Sequence, residues 1–137
     1  MKVYVYTDGS YNNGIYAGAF LVYIGTRCIY QNSGSDSGPA AEMHNVAGEL
    51  TAVMRAAKWL RAHDYTATIV YDYEGVEKWL TGAWKAKNKY TQAYVKFMKP
   101  YLPYLSFKWV KGHNGDLGNI AADNLARKAL YSKKGWE

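Results

Sequence analysis

The chain has 137 residues, 49% hydrophobic and 20% charged, a size and balance that suit one folded domain with one core and exclude a disordered chain. Its formal net charge of +6 and pI near 9.3 point to a polyanionic partner, either nucleic acid or an anionic membrane surface. No apolar run is long enough to span a bilayer, the N-terminus lacks a signal-peptide pattern, and a single Cys with three scattered His argues against an internal disulfide or a structural zinc site, so a cytoplasmic protein is expected.

Lys2–Thr7 is β-rich and apolar on both faces, as a central strand would be, and runs into Asp8-Gly9-Ser10. Asn12-Asn13-Gly14 is a turn signal. Ile15–Tyr23 and Arg27–Ser33 read as two further strands joined near Gly25-Thr26, giving an antiparallel meander. Cys28, in the third strand, reads as a small core residue. The period then changes: Leu50, Val53, Met54, Ala57 and Leu60 follow helical spacing and predict a helix over Asn45–His63. Thr68–Tyr71 reads as a short buried strand, Tyr73–Thr81 as a helix stopped by Gly82, and Ala83–Lys89 as a basic loop. Tyr90–Lys99 reads as a helix ended by Pro100 and Pro103. Leu105–Val110 follows as a strand, Lys111–Gly118 as a Gly-rich loop, and Asn119–Ser132 as the last helix. Helical crossovers make the later strands parallel to their neighbours. The expected fold class is α/β, a single domain over residues 1–137, with a five-stranded mixed sheet of meander plus parallel strands flanked by helices.

Charge is unevenly spread. Between Lys78 and Lys111 there are eight lysines and no Asp or Glu. They fall on no clear amphipathic helix, which disfavours the membrane surface. The acids tell more. Asp8 and Asp72 each follow a predicted strand, where ligands gather in open α/β sheets. Glu49 sits in the first turns of the long helix beside Leu50, and Asp123 borders the apolar face of the last helix. Any one of them alone reads as a cap or salt-bridge partner. Four acids pressed toward a core, with no matching Arg or Lys close by in sequence, instead suggest a metal site. Hard oxygen ligands suit Mg²⁺ or Mn²⁺, and two such ions serve phosphodiester hydrolysis. The residues alone therefore reach a metal-dependent enzyme acting on nucleic acid.

Tyr6-Thr7-Asp8-Gly9-Ser10, Asn45-Val46-Ala47-Gly48-Glu49-Leu50, Val70-Tyr71-Asp72, Val110-Lys111-Gly112-His113 and Ala122-Asp123-Asn124-Leu125-Ala126 together resemble the type 1 ribonuclease H family, from about Lys2 to Leu130. The His113–Asp123 spacing of ten is the family's usual one. The resemblance implies an RNase H-like fold. It also implies endonucleolytic hydrolysis of the RNA strand of RNA–DNA hybrids by a two-metal-ion mechanism, leaving 5′-phosphate and 3′-hydroxyl ends. By the same resemblance Asp8, Glu49 and Asp72 hold one Mg²⁺ and Asp8 and Asp123 a second, with Mn²⁺ as an alternative. His113 assists proton transfer or product departure, Asn45 reaches the hybrid's minor groove, and Gly9 and Ser10 approach the RNA strand.

Three features depart from the family pattern. The turn after Asp8 lacks the Gly-Asn-Pro-Gly form. His44 replaces a Thr that helps grip a DNA phosphate. The segment between Asp72 and Leu105 is short for an extra basic helix, so Trp84, Lys85, Lys87 and Lys89 are expected to form a smaller basic loop against the hybrid, with plain packing the other reading of Trp84. Two alternatives share the fold: a reverse-transcriptase RNase H domain cut out as a fragment, and a DNA-cutting resolvase- or integrase-like nuclease. A start at Met1 directly before the first strand favours a free-standing protein, expected to be a monomer.

Overall fold

A computed structural model describes residues 2–111 and 116–136. The elements are β1 (Val3–Asn12), β2 (Ile15–Ile24), β3 (Arg27–Ser37), a 3-10 turn (Pro39–Met43), α1 (Asn45–Ala62), β4 (Ala67–Tyr71), α2 (Gly75–Thr81), α3 (Lys89–Met98), a second 3-10 turn (Lys99–Tyr104), β5 (Leu105–Trp109) and α4 (Leu117–Ser132). The sheet order is β3-β2-β1-β4-β5. β1, β2 and β3 pair antiparallel, whereas β1–β4 and β4–β5 pair parallel, as the meander and the helical crossovers predict.

β1 is central, with Val3 and Val5 buried on one face and Tyr4 and Tyr6 half-buried on the other. Val3 and Val5 join the core beneath α1, together with Phe20, Val22, Leu50, Val53, Leu60 and Ile69. The intervening Tyr6 lies against Gly118 of α4 on the other face. Ala17, Ala129 and Leu130 form a second, smaller cluster between β2 and α4. Where α1 crosses the sheet the two backbones touch. A Cβ on Gly48 would stand 1.8 Å from the Ala17 carbonyl oxygen, and one on Gly18 would stand 2.2 Å from that of Gly48.

The boundaries differ from the sequence expectation where side chains cap helices. α3 starts one residue early because Asn88 accepts from the Tyr90 and Thr91 backbone N–H groups at 3.0 and 2.9 Å. α4 starts at Leu117 because Asp116 accepts from Asn119 N at 3.0 Å. Pro100 and Pro103 end α3 but sit inside the following 3-10 turn, whose tighter geometry tolerates them. β1 and β3 each run several residues past their apolar stretches, held by ladder bonds to β2. Cys28 is exposed, not in the core. It lies near the start of the edge strand, where a register shift opposite Val22/Tyr23 re-aims the side chains.

The chain after α4 turns back along that edge. The Lys134 carbonyl accepts from Ser35 N, Lys134 Nζ donates to the Ser33 carbonyl at 2.7 Å, and Trp136 lies against Gly34.

The crossing of α1 over β2 gives a direct test. In an open helix, Gly→Ala gains about 1 kcal/mol of helix propensity. At Gly48 the added methyl meets a backbone oxygen that cannot move aside, and overpacking of this kind costs about 1–3 kcal/mol or more. Gly48→Ala should therefore lower the urea midpoint at unchanged slope; an unchanged or higher midpoint would mean the crossing is loose.

Candidate active site

Asp8 and Asp72 reach one sheet edge through the parallel pairing of β1 with β4. Tyr6 is level with Val70, so the residues two further along each chain are level as well. Glu49, one turn into α1, comes to the same point because Gly9 allows close approach. A Cβ on Gly9 would stand 2.2 Å from the Asn45 carbonyl oxygen and 2.4 Å from Glu49 N. One carboxylate oxygen from each of Asp8, Glu49 and Asp72 lies within 4.8 Å of the others. Asp123 is adjacent but outside that trio. Its charge bears on Asp8, while its own carboxylate pairs with Arg127 Nη2 at 3.0 Å. The expectation that no basic residue matches the four acids is thus corrected for Asp123, because Arg127 lies one helical turn along the same face.

The trio is buried and negative. Glu49 is 2% exposed and Asp8 8%, and neither is in an ion pair with a basic side chain among the described residues. Burial, then the Asp72 charge, push the Asp8 carboxyl up to about 8, against the opposing pull of the Gly9 N–H. Burial, then the Asp8 charge, raise Glu49 well above the ordinary range, although the Thr7 hydroxyl donates to its Oε1. Glu49 Oε2 is buried with no hydrogen-bond partner among the described residues. An acceptor oxygen left over in a cluster of hard, mutually repelling carboxylates suits a cation, and a divalent ion fits these donors.

Three neighbours hold the acids in place, and the sequence reading singled out none of them. Thr7 fixes Glu49. Asn119, 4% exposed, directs Nδ2 toward Asp72 Oδ2 at 3.5 Å. Trp109 donates its indole N–H to the Asp72 carbonyl at 2.8 Å, one step beyond the last ladder bond from Val110 N to Tyr71 O. A signal existed for two of them: Thr7 is a polar residue in an apolar strand, and Asn119 is a polar residue four before Asp123 on the inner side of α4.

The other expected interface residues differ in their settings. Gly9 has a packing reason in its contact with α1, and Ser10 is half-buried beside it. Asn45 is exposed as the first residue of α1, with His44 and not Asn45 at the cap position. Trp84 is half-buried, edge-on to Trp79 and Tyr73 with ring centroids 5.7 and 6.1 Å away, so packing accounts for part of it. Lys85, Lys87 and Lys89 are exposed. His113 lies outside the described residues.

The raised carboxyls make stability depend on pH. The folded state keeps a proton on Asp8 up to about 8, whereas the unfolded chain releases it near 3.8. Folded protein therefore binds more protons across that interval, and stability falls as pH rises through it, by at most about 1.4 kcal/mol per pH unit for each such group. In EDTA the protein should melt higher at pH 5 than at pH 8, and Asp8→Asn should flatten that slope. A wild-type protein equally stable at both values would contradict the buried, unpaired trio.

A family model described as RNase H matches residues 1–131. The ribonuclease H of Wolbachia pipientis wMel is 32% identical over 142 residues, covering 94% of this chain and 95% of that protein. RNase H1 from the halophilic archaeon Halobacterium salinarum NRC-1 superposes with a TM-score of 0.80 at 21% identity, covering 96% of this chain and 99% of that one. LC11-RNase H1, solved in complex with an RNA/DNA hybrid, superposes with a TM-score of 0.77 at 17% identity, covering 96% and 98%. At these identities the two structures speak for a shared fold, while the sequence matches extend over nearly the whole length. The chain belongs to the RNase H family.

Proposed function

We propose that this protein is a divalent-metal-dependent endoribonuclease that hydrolyses the RNA strand of RNA–DNA hybrids, leaving 5′-phosphate and 3′-hydroxyl ends. The observation that carries the reading is the trio Asp8, Glu49 and Asp72 with its unpartnered Glu49 oxygen, in a member of this family. A relative of the same fold bound to an RNA/DNA hybrid supports the choice of substrate.

Asp8, Glu49 and Asp72 would hold one Mg²⁺, and Asp8 with Asp123 a second, Mn²⁺ being the alternative. Bound there, the ions would supply neutralising charge for the carboxylates and Lewis-acid polarisation of the scissile phosphodiester. The chain's own residues then orient and move protons. Thr7 sets the Glu49 carboxylate, and Asn119 and Trp109 set Asp72 from its side chain and its backbone. Arg127 turns Asp123 by holding one of its oxygens. Water adds to phosphorus and gives up a proton to solvent, the P–O3′ bond breaks, and the departing oxygen takes up a proton, a transfer that His113 assists. Asn45, Gly9 and Ser10 lie along the hybrid, where the 2′-hydroxyl marks RNA. Trp84, Lys85, Lys87 and Lys89 hold its phosphates. The protein works as a cytoplasmic monomer. No helix among the described residues is long and apolar enough to cross a membrane.

Labelled RNA presented in a hybrid, in duplex RNA and as a single strand, beside labelled duplex DNA, each with Mg²⁺, Mn²⁺ or EDTA, tests the activity. Cleavage should be confined to the hybrid, vanish in EDTA, and be lost in a folded Asp72→Asn variant; equal cutting of duplex DNA would replace this reading with a resolvase-like one. His113→Ala should slow turnover by about 10²–10⁴-fold, the usual worth of general acid–base help, and leave metal affinity by calorimetry unchanged. Loss of metal binding in that variant would make His113 a ligand instead.

A further inference from the structure

The acids of the site do not meet positive charge equally. Asp8 and Glu49 are in no ion pair with a basic side chain among the described residues. Asp123 is in one: its Oδ2 lies 3.0 Å from Arg127 Nη2. The same Nη2 donates to Asn124 Oδ1 at 3.2 Å, so Asp123 and Asn124 together hold the guanidinium. Asp8 and Glu49 are buried, whereas the Asp123 side chain is 21% exposed and Arg127 lies in solvent. An ion pair one helical turn apart on an open helix face contributes little to stability. Fold stability is therefore a weak reason for Arg127. Its effect on whatever else Asp123 binds is a stronger one, because Asp123 also lies close enough to Asp8 for its charge to bear on that carboxyl.

In the ligand set proposed above, Asp8, Glu49 and Asp72 hold one divalent ion, and Asp8 with Asp123 the other. The trio is gathered within 4.8 Å, and a divalent ion among the three relieves their mutual repulsion. The second position is poorer in two respects. Asp8 serves both ions, so part of its charge is already offset when the trio is filled. Asp123 carries a guanidinium on one oxygen, and two cations on one carboxylate repel each other. We propose that Arg127 sets the affinity of the second ion, holding it below that of the first. The two positions then fill in order, and Arg127 fixes the metal concentration at which the site is complete. Arg127 acts through Asp123 and touches no substrate, which makes it a positioning residue. For its ligand set the proposal rests on the nuclease reading above.

The test titrates the metal-free protein with Mn²⁺ in the absence of nucleic acid, following heat by calorimetry and unbound ion by electron paramagnetic resonance. Wild type should take up one ion and then, more weakly, another. Arg127→Ala, shown folded by circular dichroism, should tighten the second step about three- to fivefold, the effect of a surface ion pair near the top of its usual range. The first step should stay as it is. Arg127→Lys, which keeps a cation within reach of Asp123, should restore most of the gap between the steps. Asp123→Asn should remove the second step. A pair that serves only the fold would leave both steps unmoved or weaken both on removal, and either result overturns the proposal. Equal tightening of both steps also overturns it, because that is the effect of net charge at a distance. So does a single step in wild type and Arg127→Ala alike, or a second step that survives Asp123→Asn. A wild-type protein that takes up no Mn²⁺ would sink the metal site and the nuclease reading together with this proposal. Two ordered steps indifferent to Arg127 would sink this proposal and leave that reading standing.

Discussion

Glu49 is a carboxylate placed almost wholly out of water, and the rest of the site follows from the constraint it imposes. Removing an acid from solvent is costly unless something offsets the charge, and here the neighbouring charged groups are two more acids. Thr7 satisfies one oxygen and leaves the other open. Such an arrangement persists only because the scaffold beneath it is rigid. The backbone contacts at Gly9, Gly18 and Gly48 lock α1 against β1 and β2, so Glu49 cannot swing into solvent without undoing the helix–sheet crossing.

The same logic explains why Asp72 and Asp123 are supported differently. Asp72 follows a strand end, where the ladder stops. Trp109 donates to its carbonyl from the neighbouring strand. Asp123 is carried on a helix, whose periodicity places Arg127 one turn away. Asp72 is fixed through neutral donors to its main chain and its side chain, and Asp123 through a partner charge. The trio is therefore built to tolerate repulsion, whereas Asp123 remains partly exposed and already balanced, more adaptable than the others.

The sequence made the fold legible because period changes from two to 3.6 fall at the element boundaries, and because the apolar β1 could only be central. Asp72 and Glu49 were legible because one follows a strand and the other lies in the first turns of a helix, each in a recognisable segment; Asp8 was legible from its segment, but it lies inside β1, which runs on to Asn12, and not after a strand as expected. What the sequence did not disclose depends on contacts between distant segments. The Trp109–Asp72 bond joins residues 37 apart and the Thr7–Glu49 bond residues 42 apart, and no local pattern announces either. Cys28 was misplaced for a related reason: alternation predicts which way a residue points, but edge position and the register shift beside it are properties of the assembled sheet. Arg127 was visible four residues from Asp123, yet its role needed the helix to be in place.

The strand order leaves β3 and β5 at the two edges, and they are treated unequally. β5 is five residues long, too short to template much pairing. β3 is eleven residues long, the kind of open edge that recruits other chains into a growing sheet. The segment after α4 lies along part of it, engaging backbone groups of Ser33 and Ser35 and laying Trp136 over Gly34. Those residues thus act as a guard against strand-to-strand association. Trp136 also packs against the main core, so the cover over this edge is anchored in the interior and not laid on the surface.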